Sequence, residues 1–305
     1  MNRAVPQIIL LLLLAVGCEK EKFPADLLPD SDIELTDGFC LVAGDQVVLN
    51  HEDIAYYDFS AHVIYLKSPV TFSEVFGKYG VSAVYAGGEK IYNLSLHPGY
   101  SSLMPQDPVI WTDPTFYPDF VIAIDKMWTF QQLSEEAEDE REDPRIVEAL
   151  ERYEQFRQGL VCEINSIRYN SPKDVEVELE LSNPDEGGYY YLDPGKMGMG
   201  LFHYFTNGLT VWDPASSQYI DSEIEHIQPD PWDSFAMEWM SLLEGGTSVF
   251  LTIRYEQFTA LQDGSYTAYF TFPGMRYQVD RDDLDQQDGR IWLGDIEMSG
   301  ALTVQ

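Results

Sequence analysis

The chain has 305 residues, 45 % of them hydrophobic and 13 % aromatic, enough for about two domains with a substantial core. With 52 acids against 18 bases the formal charge is −34, a surface that repels phosphate backbones and anionic lipid and so excludes nucleic-acid binding. Such a balance suits a well-solvated body or a cationic partner.

Residues 1–18 read MNRAVPQIILLLLLAVGC. Arg3 is the sole charge, and the apolar run Ile8 to Val16 is too short to cross a hydrocarbon layer of about 30 Å. This is the n-region and h-region of a signal peptide, residues 1–17, running into small residues and Cys18. The ending Ala15-Val16-Gly17-Cys18 resembles the lipobox of bacterial lipoproteins. That resemblance implies a lipidated Cys18 and a membrane partner engaged through the anchor. Several acyl chains at about 0.8 kcal/mol per buried methylene would hold it firmly. The run Glu19-Lys20-Glu21-Lys22 resembles the export signal of Bacteroidetes surface lipoproteins, implying the outer membrane or the cell surface. Residues 18–32, charged and with two prolines, are expected to be a tether.

Residues 33–130 are expected to form a small α+β domain. Ile54 to Tyr57 and His62 to Lys67 flank a short turn, as in a hairpin. Phe72, Val75, Phe76 and Tyr79 fall at helical spacing before Gly80. Gly87-Gly88 is a two-residue turn that should pair Val84 with Ile91 and Tyr85 with Lys90. His97 to Pro118 is rich in proline and aromatics and is expected to be irregular, with Val121 to Ile124 returning to strand.

Residues 131–159 are expected to be an acidic helical linker. Asp143 caps a helix with Pro144 at its first position, and Ile146, Leu150, Tyr153 and Phe156 recur along one face. Residues 160–305 then read as strand after strand. Val175, Val177, Leu179 and Leu181 alternate with acids, and Tyr189 to Leu192 follows. Asn207-Gly208 suggests a hairpin pairing Tyr204 with Val211 and His203 with Trp212. Val249 to Tyr255, Tyr266 to Phe272, Ile291 to Leu293 and Ile296 to Val304 complete the set. Seven or more short strands with regular turns imply an immunoglobulin-like β-sandwich that folds alone.

Within this half, Ser182-Asn183-Pro184 is followed by Gly208-Leu-Thr-Val-Trp-Asp213, Leu243-Glu-Gly-Gly246 and Leu261-Gln-Asp-Gly264-Ser-Tyr266. The order resembles the BsuPI-like family of intracellular proteinase inhibitors and related bacterial Ig-like domains, over roughly residues 163–275. The resemblance implies a sandwich and, by extension, an inhibitor-like role. The fold class is therefore mainly β: an α+β domain, an acidic helical linker and a C-terminal Ig-like sandwich.

Chemistry-bearing motifs are sparse. No G-x-S-x-G, H-E-x-x-H or Walker loop occurs, and no C-x-x-C that would mark a zinc site. Gly195 to Gly200 has glycine spacing that fits neither a dinucleotide fingerprint nor a P-loop and reads as a mobile loop. The acidic stretch Asp280 to Gly289 fails the register of a calcium loop. Cys40 and Cys162 either pair, with about 4–5 kcal/mol of stabilisation, or stay as buried thiols. Trp111 and Tyr117 in the first half and Trp232 and Trp239 in the second sit in segments that break strand alternation, and are the candidate binding residues. The expected function is a non-enzymatic envelope lipoprotein that binds a protein or glycan partner through aromatic loops, without cofactor or metal. The alternative is an envelope enzyme or proteinase-inhibitor-like protein whose site assembles only in the fold.

Overall fold

The computed structural model describes residues 34–71, 81–102, 104–113, 117–127, 138–171, 173–206, 208–232, 234–276 and 279–305. The signal peptide, Cys18, the tether, the helix expected over 72–80, Phe116 and Asn207 lie outside the described residues. The fold is mainly β, with the described residues arranged in five sheets. No helix among the described residues is long and apolar enough to cross a membrane.

In the first half, β1 (Phe39–Ala43), β2 (Gln46–Leu49), β5 (Val81–Ala86), β6 (Glu89–Pro98) and β7 (Val109–Asp113) form a sheet of order β2-β1-β5-β6-β7. A second sheet, β8-β4-β3-β9, joins β3 (Ile54–Asp58), β4 (Val63–Leu66), β8 (Val121–Ala123) and β9 (Phe156–Arg157). The β3–β4 hairpin forms as expected, closed by a 3-10 turn at Phe59–Ala61. In the Gly-Gly hairpin Tyr85 pairs with Lys90, but a bulge then slips the register, so Val84 faces Tyr92 rather than Ile91. The segment expected to be irregular contains β7, which adds parallel to β6.

Asp143 caps α1 (Pro144–Arg152), its side chain accepting from the Arg145 N–H at 2.9 Å, with Pro144 at the first turn. Far from bridging two bodies in solvent, α1 buries Ile146, Ala149 and Leu150 in the core of the first half. Its apolar stripe requires such burial, because a lone nine-residue helix is not stable in water.

In the second half, β10 (Val161–Ser171), β11 (Asp174–Asn183) and β16 (Thr247–Tyr255) form one sheet, where Val175, Val177, Leu179 and Leu181 all point inward. The facing sheet, β14-β13-β17-β20, comprises β13 (Leu209–Asp213), β14 (Gln218–Asp221), β17 (Gly264–Phe272) and β20 (Ile296–Val304). Tyr266, Ala268, Phe270 and Phe272 are buried on β17, as their alternation demands. A third sheet, β15-β12-β19-β18, is built from β12 (Tyr189–Leu192), β15 (Met240–Leu243), β18 (Asp285–Gln286) and β19 (Gly289–Ile291). The Asp280–Gly289 stretch contains one helical turn, α4 (Arg281–Leu284).

Between β12 and β13 the sequence expectation fails. Gly195 to Gly200 is not a loop: it carries α2 (Pro194–Met197) and the start of α3 (Met199–Thr206). Asp193 caps α2 through the Gly195 N–H at 2.8 Å, and Pro194 opens it. The hairpin centred on Gly208 is absent too, because Phe202 and Phe205 lie one helical turn apart and both reach the core on α3. Val211 pairs with Ile220 and Ala268, and Trp212 with Tyr219 and Thr267. Gly208, at φ +77°, stops α3 against the His203 ring, where an added Cβ would lie 2.1 Å from Cε1. Gly208→Ala is expected to cost more than 2 kcal/mol in a melt, since strain and overpacking add.

The two halves share one core. Val63, Tyr65, Phe120, Val121 and Ala123 of the first belong to the same buried cluster as the strands of the second. The chain crosses between halves at Gly159 (φ +78°), where a Cβ would lie 2.8 Å from Ser60 Oγ and 2.9 Å from the Trp292 ring. Cys40 and Cys162 are both free thiols; burial pushes them up to about 11 and about 12 respectively.

Candidate functional site

A cleft of about 670 Å³ opens where the halves meet. The first half supplies His62 at the end of the 3-10 turn, Trp111 on β7, Asp125 and Lys126 just past β8, and Asp139 and Arg141 ahead of α1. The second half supplies Phe205 and Thr206 from the end of α3, Thr271 from β17, Arg276 and Asp295 from connecting segments, and Glu297 from β20. Thr271 and Glu297 are cross-strand partners, so one outward face of the β17–β20 pair forms a wall. Asp125 is placed by two backbone hydrogen bonds to Val109, at 2.7 and 2.8 Å, which tie the exit of β8 to β7 and its Trp111.

Three cations in this cleft are each anchored by an acid. Arg141 grips Asp139 through three hydrogen bonds of 2.7–3.1 Å and also donates to the Ile124 carbonyl at 2.8 Å. Lys126 pairs with Glu140 and lies 3.8 Å from Asp139. Arg276 pairs with Asp295, whose other contact is the Gly274 N–H at 2.9 Å. Burial alone would raise Asp139, but the Arg141 hydrogen bonds outweigh it and hold the carboxyl below its ordinary range.

Asp125 and Glu297 behave in the opposite way. Burial raises Asp125, against the pull of Arg276, Arg141 and a hydrogen bond from Trp111. Glu297 lies on the exposed face of β20, yet the protein packed about its carboxyl raises it too, and the charge of Asp125 raises it further, again against Arg141 and Arg276. Glu297 thus feels the charge of Asp125 in a cleft whose lining carries more acids than bases.

His62 is 5 % exposed and sits in the left-handed region at φ 50°. Its Nδ1 lies 3.2 Å from the Tyr57 hydroxyl, and its Nε2 faces Asp139 across 4.0 Å, beyond hydrogen-bonding range. Burial, aided by Arg141 and Lys126 and opposed by Asp139, lowers its pKa to about 3, so the ring is neutral at physiological pH. A buried non-glycine residue held in this backbone region marks a place the surrounding fold over-determines.

Of the binding residues expected from sequence, the structure brings Trp111 alone into this cleft. Trp239 packs against α3, its ring 6.1 Å from that of Phe205. Tyr117 is half-buried against the shared core. Trp232 is 53 % exposed in its own loop. Trp232→Ala is therefore expected to lower stability by less than about 1 kcal/mol, where a core tryptophan would cost about 3–5; thermal melts of the variant check this. His62, Asp125, Arg276 and Glu297 were not singled out in the sequence, for no spacing links them. His203 likewise sits on α3 beneath Tyr255, 3.2 Å from His226 Nε2 and 3.3 Å from Ser222 Oγ, rather than beside Trp212.

A second feature of the junction is a buried polar node. Asp58, fully buried on β3, pairs with Arg290 on β19. The Arg290 guanidinium lies 3.9 Å from the ring centroid of Tyr56, 5.4 Å from Tyr65 and 4.7 Å from Tyr189. Beside it a hollow of about 710 Å³ is lined by Asp185, Glu186, Asp285 and Asp288 among others.

No family model matches the chain, and no curated protein is significantly similar to it. Among the described residues, no three His, Cys, Asp or Glu side chains are grouped to hold a metal ion.

Proposed function

We propose that this protein is a lipid-anchored lipoprotein of the bacterial envelope, facing the outer membrane or cell surface, that captures a glycan in the cleft between its halves. The observation that carries the reading is the cleft itself, where the Trp111 ring sits among carboxylates, guanidiniums and a neutral imidazole. Aromatic faces stack on sugar rings, while paired acids and arginines hydrogen-bond hydroxyls. The ligand seat thus moves from the aromatic loops to the junction. Anchoring rests on the lipobox-like ending at Cys18, and the tether would hold the acidic body away from a negative surface. An Ig-like second half is supported by its strand order, β10-β11-β16 facing β14-β13-β17-β20, with β12 and its sheet inserted between strands of the sandwich.

Two measurements test this. Labelled palmitate should enter the wild type and not Cys18→Ser. Full-length protein in detergent should retain an envelope oligosaccharide, and Trp111→Ala should weaken retention about 30-fold or more, the loss of an anchor worth about 2–4 kcal/mol. Unchanged retention would remove the cleft from the function. A second reading, chemistry on the captured glycan, is favoured by Asp125 and Glu297, two carboxyls in one cleft that are both raised above their ordinary range. Release of new reducing ends from the bound oligosaccharide would establish it.

A further inference from the structure

We infer that the open edge of β16 pairs with β16 of a second copy of this chain, antiparallel, joining the two β10-β11-β16 sheets into one. The sheet order leaves one long side of β16 with no strand against it among the described residues. Such a side presents a row of backbone donors and acceptors, a template for another strand. The nine residues Thr247–Tyr255 follow β11 in unbroken register, from Thr247 opposite Asn183 to Tyr255 opposite Val175. At about 3.4 Å per residue that is an edge of roughly 30 Å.

The other edge of the same sheet shows how this chain guards a strand. β10 is broken by two register shifts, between Ile164 and Ser166 and between Tyr169 and Ser171, and it carries Glu163 and Arg168. β16 has no such break and no proline. Its one charge, Arg254, is taken up by Asp174, to which its Nε donates at 3.0 Å. The side chains of β16 are incompletely covered as well. Val249 and Leu251 pack toward the core yet stay partly exposed, while their partners across the ladder, Leu181 and Leu179, are fully buried. On the outer side Phe250 is 69 % exposed. A strand laid along this edge would cover all three.

Charge decides between the occupants. Each copy carries −34, so two copies repel except where the surfaces that meet are nearly neutral. β16, with its single and already paired arginine, is such a strip. A basic strand from another protein would need acids to hold it, and β16 has none. Of the acids on β11, Asp174 is held by Arg254, and Glu176 and Glu178 by Arg168, which leaves Glu180. Self-pairing also keeps the faces in phase. With the two-fold axis at Leu251, the middle residue, Val249 meets Ile253 of the other copy and Phe250 meets Thr252. Apolar side chains then line up on the core side of both copies.

The test is sedimentation of full-length protein in detergent, from about 1 to about 100 μM. A reversible dimer should appear and should tighten several-fold as salt rises, because screening weakens the repulsion between two acidic bodies. Phe250→Lys and Thr252→Lys, both at exposed edge positions, should each weaken it at least about tenfold. Tyr100→Lys, equally exposed but away from this edge, is the control and should not. Hydrogen exchange along Thr247–Tyr255 should slow in the concentrated sample, with β14 unchanged. A chain that stays monomeric across this range overturns the inference. So does a dimer that salt loosens, that survives both lysines, or that leaves exchange in β16 unchanged, for the contact then lies elsewhere. A monomer that binds an alternating valine-lysine peptide, with exchange in β16 slowed, assigns the edge to a basic partner strand and overturns self-pairing.

Discussion

A chain that begins at Gln158 is expected not to melt cooperatively, although its sequence alone reads as a self-sufficient sandwich. The reason is where the first half places its side chains. Val63, Tyr65, Phe120 and Val121 are buried in one cluster with the strands of the second half, not only against their own sheet. Each such burial contributes about 1.5–3 kcal/mol, so deleting four of them removes roughly 6–12 kcal/mol. A domain of this size is stable by only about 5–15 kcal/mol in total. Truncation also strips Arg290 of Asp58 and of the Tyr56 and Tyr65 rings. Circular dichroism of the truncated chain should show strand signal without a sharp thermal transition. A cooperative melt within a few degrees of the whole protein would show that the second half closes its own core.

Alternation carried most of the strand assignments because burial on one face of a sheet obeys a period of two. On β11 and β17 that rule leaves no other solution, and the inward set is the one the pattern picks out. The rule fails where two periods compete. From Met199 to Thr206 the aromatic spacing satisfies a helix, and Gly208, half of a strong hairpin signal in isolation, stands instead just past the end of that helix. The helix over Pro144–Arg152 was legible from its cap and stripe, but not its destination, since an apolar stripe does not say which core it enters. The cleft was nearly illegible. Trp111 stood out because tryptophan is rare and conspicuous, whereas Asp125, Arg276 and Glu297 are ordinary charged residues in a chain full of acids. What distinguishes them is that two distant segments, past β8 and along β20, face one another, and local pattern carries no trace of that.

The largest single-residue effect is expected at the Asp58–Arg290 node, and it should be lopsided. Arg290→Met is expected to cost about 3–5 kcal/mol at neutral pH, while Asp58→Asn costs far less. The asymmetry follows from what each partner retains. Without Asp58, the Arg290 guanidinium still lies over the rings of Tyr56 and Tyr189 and still donates to the Tyr189 hydroxyl. Without Arg290, Asp58 keeps a fully buried carboxylate with no cation, which is the costly way to break such a pair. Burial already raises Asp58 to about 6 in the intact protein, with Arg290 pulling it down and Asp185 pushing it up. A carboxyl raised on folding binds its proton more tightly in the folded state than in the unfolded one. Its contribution to stability is therefore fully present below the unfolded value near 3.8, and is lost as pH rises through about 6. Removing Arg290 moves the folded value higher still. The deficit of Arg290→Met should accordingly shrink as pH falls toward about 6 and level off below it, because Asp58 takes up its proton at a higher pH in the variant than in the intact protein, whereas Asp58→Asn has no such group to titrate. Denaturant melts of both variants at pH 5 and pH 7.5 separate the two behaviours. Equal losses in the two variants, or a deficit of Arg290→Met that does not change with pH, would mean that Asp58 is not the group whose charge the arginine sustains.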